Sequence, residues 1–191
     1  MNGVAAPIYS VGNVSGAEQL TFQVPCETAV GNAVPIAINV SGGAASITFP
    51  VVAASPGIFE TVMSDGVRRA VVIRPDGSFV SLQNPARTGE TVRVFVTGLG
   101  PAIPAVNTGA LPVPGADSLV QGSVIVGINN SGVTVFTSRV SPNLIGVFEV
   151  AFLVPSGSGA PTGNDVVLSV DVQFADKADH FSNGSKLPIA Q

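Results

Sequence analysis

Gly3-Val4-Ala5-Ala6-Pro7-Ile8-Tyr9-Ser10 leads into Gln19-Leu20-Thr21-Phe22-Gln23-Val24-Pro25, and Gly132-Val133-Thr134-Val135-Phe136-Thr137-Ser138-Arg139 leads into Glu149-Val150-Ala151-Phe152-Leu153-Val154-Pro155. The same passage is written twice: Phe22 and Phe152, like Pro25 and Pro155, stand 130 residues apart. Each copy continues into an alternating segment, Val34-Pro35-Ile36-Ala37-Ile38 or Val166-Val167-Leu168-Ser169-Val170. Each closes on an apolar-Pro-apolar triplet, Phe49-Pro50-Val51 or Leu187-Pro188-Ile189. A duplication on this scale indicates repeated modules rather than one bespoke active site. Alternation of apolar and polar residues makes those modules β-structure, because a strand turns successive side chains to opposite faces.

Outward from the repeat, the same pattern fills the chain. Strand-like segments are expected at 4–10, 18–25, 33–40, 45–52, 58–63, 68–74, 78–82, 91–97, 122–128, 133–139, 146–154, 165–174 and 185–190. Turn chemistry separates them at Ser41-Gly42-Gly43, Asp65-Gly66, Asn129-Asn130-Ser131-Gly132 and Ser156-Gly157-Ser158-Gly159. The clearest hairpin is Arg74-Pro75-Asp76-Gly77-Ser78, set between two apolar runs. Residues 100–121, with Pro101, Pro104, Pro112 and Pro114, read as a long loop or an edge-hugging extended stretch. Short strands at regular spacing without helices indicate β-sandwiches, here tandem immunoglobulin-like ones. Residues 85–191 read as a complete module, 1–53 as the second half of an equivalent one, and 54–84 as a hairpin-rich connector. The first module lacks counterparts of Thr91–Thr97 and Ser123–Ile128, the strands that precede the second copy, and so is expected to be open by roughly two strands.

Composition narrows the functional classes. Hydrophobic residues make up 46% of the 191, aromatic residues only 6% and charged residues 10%, well below the ordinary quarter of a globular domain. Gly 22 and Pro 15 suit frequent turns. A net charge of −4 with eight basic residues offers no electrostatic footprint for nucleic acid or an anionic membrane. No run approaches the roughly 18 apolar residues of a spanning helix. Met1-Asn2-Gly3 carries no basic region and Pro7 interrupts the apolar stretch, so the opening residues do not read as a signal peptide. The single cysteine, Cys26, forms no internal disulfide and is expected as a small core or edge hydrophobe.

Two resemblances rest on these residues. Thr88-Gly89-Glu90 followed by Thr91–Thr97 and Gly98-Leu99-Gly100-Pro101 resembles the opening of IPT/TIG modules. The chain as a whole resembles the uncharacterised C-terminal domain family abundant in Acidobacteria and named for Solibacter proteins. The matching stretches are Gln19–Thr28, Ala54-Ser55-Pro56-Gly57-Ile58-Phe59, Asn84–Glu90 and Thr97–Pro101. The resemblance implies a place at the end of a large secreted or envelope protein, an extracellular or cell-envelope location, and no established activity. It also implies an upstream strand set before the position of Asn2-Gly3, so that either the sequence is a piece of a longer protein or another chain supplies those strands.

No catalytic constellation accompanies this pattern. The one histidine, His180, sits in the polar stretch Ala175–His180, and no G-x-S-x-G sequence exists. Asp165, Asp171, Asp176 and Asp179 form the only acidic cluster, and their spacing lacks the D-x-D-x-D-G pattern of a calcium loop. Glu27 and Glu90, beside turn residues, are expected to satisfy backbone N–H groups. Lys177 and Lys186 lie in polar or terminal surroundings that do not suit an isopeptide staple. Without Trp, and with Tyr9 on an alternating strand where the core is the default, the usual sugar-stacking platform is missing. Phe22, Phe49, Phe95, Phe148, Phe152 and Phe174 are expected at inward phase. No catalytic, cofactor-binding or metal-ligating residue is therefore nominated. The expected function is a non-enzymatic structural, assembly or adhesion module that self-associates by strand donation into its open first module. Its partners would be copies of itself or the rest of a larger secreted protein. The alternative is a polysaccharide-binding accessory module.

Overall fold

The computed structural model describes all 191 residues, and the chain is all-β with no helix. Residues 1–53 form two hairpins. β1 (Ile8–Val14) pairs antiparallel with β2 (Ala17–Phe22), and β3 (Gly31–Val40) pairs antiparallel with β4 (Gly43–Val51). The first turn is Ser15-Gly16, both at positive φ, where Asn13 Oδ1 accepts the Gly16 N–H at 2.9 Å.

The remainder builds two facing sheets. Its strands are β5 (Gly57–Ile58), β6 (Glu60–Val62), β7 (Arg68–Ala70), β8 (Val72–Ile73), β9 (Ala86–Arg87), β10 (Thr91–Thr97), β11 (Ala102–Ile103) and β12 (Leu119–Val120). They continue with β13 (Ser123–Ile128), β14 (Ser131–Val133), β15 (Val135–Val140), β16 (Phe148–Leu153), β17 (Gly163–Gln173), β18 (Asp179–Phe181) and β19 (Ser185–Ala190). One sheet runs β11-β12-β15-β16-β10-β5 with β8 also on β10, and the other runs β14-β13-β17-β19-β9 with β18 on β17. Separately, β6 and β7 pair with each other. Val92, Val94 and Val96 of β10 meet Val166, Leu168, Val170 and Val172 of β17 across one continuous core. The result is a β-sandwich closed by interdigitating β-branched side chains.

Residues 54–84 do more than connect. Ala54, Ile58, Ala70, Val72 and Val80 belong to that same core, and β5 and β8 extend the sheet beyond β10. Gly98 permits this docking: at φ 71 it lies so close to the passing chain that an added Cβ would sit 2.0 Å from Ser55 O. The Arg74–Ser78 hairpin forms as its sequence suggests, with Asp76 Oδ1 accepting the Ser78 N–H at 2.8 Å and Ile73 bridging Phe79. Within 100–121 the chain is mostly extended loop, contributing the short strands β11 and β12 to the sheet edge.

Four core assignments are corrected by register and exposure. Phe95 lies on the outward phase of β10, because Val92, Val94 and Val96 take the inward one. Tyr9 and Phe49, about half exposed, lie outside the core. Cys26 is exposed too, and the buried member of that pair is Pro25.

Candidate functional site

The duplication is exact in register. In the first hairpin Ile8 pairs with Phe22, a bulge follows at Tyr9, and Ser10 pairs with Thr21. In its twin Val135 pairs with Phe152, a bulge follows at Phe136, and Thr137 pairs with Ala151. The second hairpin repeats this fidelity. Gly31↔Val51 and Val34↔Phe49, with a bulge between, match Gly163↔Ile189 and Val166↔Leu187 with the bulge in the same place. Even the entry turn recurs: Asn2 donates its N–H to Pro35 O at 2.8 Å, and Asn129 donates to Val167 O at 2.8 Å. Asn2 and Gly3 are at positive φ, as are Asn129 and Asn130. This moves the pairing of the first segment by two residues from the one the sequence suggests, setting Asn2 opposite Asn129 and Ile8 opposite Val135. The two glycines that invite the other alignment, Gly3 and Gly132, do not occupy equivalent positions.

Given the same strands in the same register, burial differs sharply. Val154, Val172 and Leu187 are 0% exposed, whereas Val24, Val40 and Phe49 at matching positions are 48%, 67% and 51% exposed. The cause lies in what covers each copy. In the body, β10 runs antiparallel along β16, β13 antiparallel along β17, and β9 parallel along β19. The corresponding edges of β2, β3 and β4 pair with no strand, for each of these hairpins is a two-stranded sheet by itself. With β12 also on β15 and β18 also on β17, five strands border the covered copy and none borders the open one. Leu20, Phe22, Ile36, Ile38 and Val51, whose counterparts are buried in the body core, are here only half-buried.

Charge follows the same division. Residues 1–53 contain Glu18 and Glu27 and neither Lys nor Arg; all eight basic side chains lie from Arg68 onward. In the body, Glu149 on β16 is 4% exposed and receives Arg93 Nη1 at 3.1 Å, with Arg139 Nη2 nearby at 3.5 Å. Register places Gln19 where Glu149 stands and Gly12 where Arg139 stands, so the open copy has no such ion pair. An apolar layer with only two charged side chains has the composition of a buried contact rather than of a free surface.

The open layer is held to the body by a polar joint. Tyr9 Oη donates to Ile145 O at 2.8 Å, Cys26 N donates to Thr108 Oγ1 at 2.7 Å, and Gly109 N donates to Gln23 Oε1 at 2.9 Å. The Thr108 hydroxyl donates to Glu27, and this bond lowers the Glu27 pKa below the usual carboxylate value. Glu27 thus serves a side-chain hydroxyl across the joint, and backbone N–H groups of Glu27 and Thr108 add to the lowering. Burial of the Tyr9 ring edge raises its phenol pKa, with the neighbouring Cys26 thiol adding to the effect. Glu90 does satisfy a backbone group, accepting the Arg87 N–H at 2.8 Å, and also takes Arg74 Nε at 3.1 Å.

The remaining candidate residues are dispersed. Asp165 bridges Arg69 at 2.7 Å and Lys186 at 3.7 Å, Asp171 accepts the His180 N–H at 2.7 Å, Asp176 accepts the Ala178 N–H, and Asp179 accepts from Gln173. Each carboxylate has its own partner, and they do not converge on a common point. The His180 ring stands edge-on to Phe174 at 5.9 Å. Sequence reasoning missed an apolar groove of about 400 Å³ on the outside of the larger sheet, where Phe59, Phe79 and Phe95 meet Ile73 and Leu144. The outward phase of Phe95 was the signal that marks it. Comparison with family models, with curated proteins and with solved structures finds no match for this chain.

Proposed function

We propose that this chain is a non-enzymatic structural module whose β1–β4 layer is completed by β-strands from outside its own fold, making it an assembly element. The immunoglobulin-like character of the sandwich, and a setting outside the cell or in the envelope, belong to this reading and rest on the resemblance of its motifs. The observation that carries it is the contrast between Leu187 and Phe49: matching positions in matching register, one buried and the other half exposed. A free sheet edge beside an apolar face is a hazard that folded proteins cover. Strand addition satisfies both needs, since backbone groups of the edge find partners while alternate side chains enter the core. The partner is another copy of this chain or the rest of a larger secreted protein.

Light scattering across a concentration series, with negative-stain microscopy of the same samples, tests self-association. Defined oligomers or filaments are expected; a monomer at every concentration overturns completion by other copies. A polysaccharide-binding role is the weaker alternative, because the outer groove is lined almost wholly by apolar side chains. Sugar hydroxyls require convergent polar groups.

A further inference from the structure

Twin layers within one chain identify the chemistry of the missing cover. In the body, the segment Ala86–Thr97 reaches both sheets: β9 runs parallel to β19, with Ala86 opposite Ile189, and β10 then runs antiparallel to β16. There Val92 faces Phe152 and Val94 faces Val150, all four fully buried. Transferred by register, Ile189 becomes Val51, Phe152 becomes Phe22 and Val150 becomes Leu20. The same two edges that hold Ala86–Thr97 in the body are therefore present and unpaired in β4 and β2.

Charge refines the match. Arg93 stands opposite Ala151 and reaches diagonally to Glu149. Its counterpart would stand opposite Thr21 and reach Gln19, which is exposed and uncharged. A basic side chain at that position finds no carboxylate.

We propose that the β1–β4 layer binds an extended segment of the Ala86–Thr97 pattern, supplied by a partner polypeptide, with alternate β-branched residues facing Phe22 and Leu20 and an uncharged residue diagonal to Gln19. This deepens the assembly reading and rests on it for biological meaning, but it is testable separately. The segment runs parallel to β4 and then antiparallel to β2, joining the two hairpins as β9 and β10 join the sheets of the body.

The experiment titrates the full chain with two labelled peptides, one of sequence Ala86–Thr97 and one carrying Arg93→Thr, followed by fluorescence anisotropy. A third peptide with Val92, Val94 and Val96 each changed to Asn is the control. The first two are expected to bind saturably and the third not to bind. Gln19→Glu, at an exposed position that leaves the hairpin intact, is expected to move the preference about fivefold toward the Arg93 peptide, as an opposed cross-strand charge pair does. The inference is overturned if neither peptide binds the folded chain up to about 1 mM, the weak end of specific affinity. An unchanged peptide ratio in Gln19→Glu also overturns it, because the register would then be wrong. A chain that polymerises yet ignores the peptides sinks this inference and leaves self-assembly standing. A monomer that binds them supports this inference and removes self-assembly.

Discussion

The layer β1–β4 and the layer formed by β15, β16, β17 and β19 share pairing, bulges and entry turn, yet one is core and the other surface. Phe22 and Phe152 each sit opposite a β-branched residue beside a bulge. Only Phe152 has a further strand beside it, with Val92 of β10 directly opposite, and only Phe152 is fully buried. Local sequence and hairpin geometry are thus sufficient to set strands and register, whereas burial is supplied by elements distant along the chain. The comparison separates two quantities that are usually inseparable in a folded domain: formation of a strand, and the stability contributed by covering it.

The sharpest way to break the comparison is to truncate the matching phenylalanines. Phe152→Ala is expected to destabilise the body by about 4 kcal/mol, the cost of losing a buried ring and leaving a cavity. Phe22→Ala should cost under about 1 kcal/mol, because its ring is only half-buried and water already reaches the site. Urea titrations of both variants measure the difference. Equal losses would mean that the open layer is covered in solution, as it would be in an oligomer. Repeating the pair in the presence of a bound covering strand should bring the Phe22 value up toward that of Phe152.

Next in size is the clamp that the hairpins lack. Arg69 is 1% exposed, donates through Nη1 and Nη2 to both oxygens of Asp65 at 2.8 and 2.7 Å, and donates through Nε to Asn164 O at 2.9 Å. Asp165 completes its partners at 2.7 Å. A buried guanidinium needs that satisfaction, and removing it strands the groups around it. Arg69→Ala is expected to lower body stability by about 3 kcal/mol in a denaturant titration. Amide exchange in β1–β4 should be untouched, since no ion pair reaches it.

Much of this was legible before any coordinates. The repeat, most strand positions and the Arg74–Ser78 hairpin follow from alternation and turn residues, which are local signals, whereas the expected strand at 78–82 is reduced to a single bridge at Phe79. The failures are instructive because they are all questions of phase or of distance. Phe95 points outward since its neighbours Val94 and Val96 face the core, a choice that alternation leaves ambiguous until one residue is anchored. Tyr9 occupies a bulge, and a bulge inverts the facing of everything on one side of it. Cys26 is exposed, and its N–H is held by Thr108, some eighty residues away, in a contact no pattern announces. Gln19 in place of Glu149 was equally invisible as a signal, because its meaning depends on which strand lies diagonal to it.

A smaller effect sharpens the junction between the two regions. Thr108 Oγ1 accepts the Cys26 N–H and donates its own hydrogen to Glu27, so one hydroxyl ties β2's exit to the body loop. Thr108→Val keeps the shape and removes both bonds. The expected loss is about 1 kcal/mol, read as faster exchange of amides in 23–28 with body amides unchanged. Slowed exchange in the variant would contradict a tethering role for the joint.

Acid titration gives the smallest expected effect and again divides the molecule. Asp65 has its pKa lowered to about 2, chiefly by the hydrogen bonds from Arg69. A carboxylate bound more strongly to its proton when unfolded than when folded adds stability above the unfolded value. That contribution is lost as pH falls from about 4 through 2. Asp65 is partly exposed, so solvent screening keeps the effect modest. Asp65→Asn should flatten the stability profile of the body between those limits and leave the profile above them parallel to that of the unaltered chain. In the open layer the Glu27 carboxyl is shifted in the same direction, but chiefly by the Thr108 hydroxyl rather than by an opposite charge. Added salt should therefore weaken the Asp65 contribution and leave the Glu27 one nearly unchanged, because screening acts on charge pairs more than on a neutral donor.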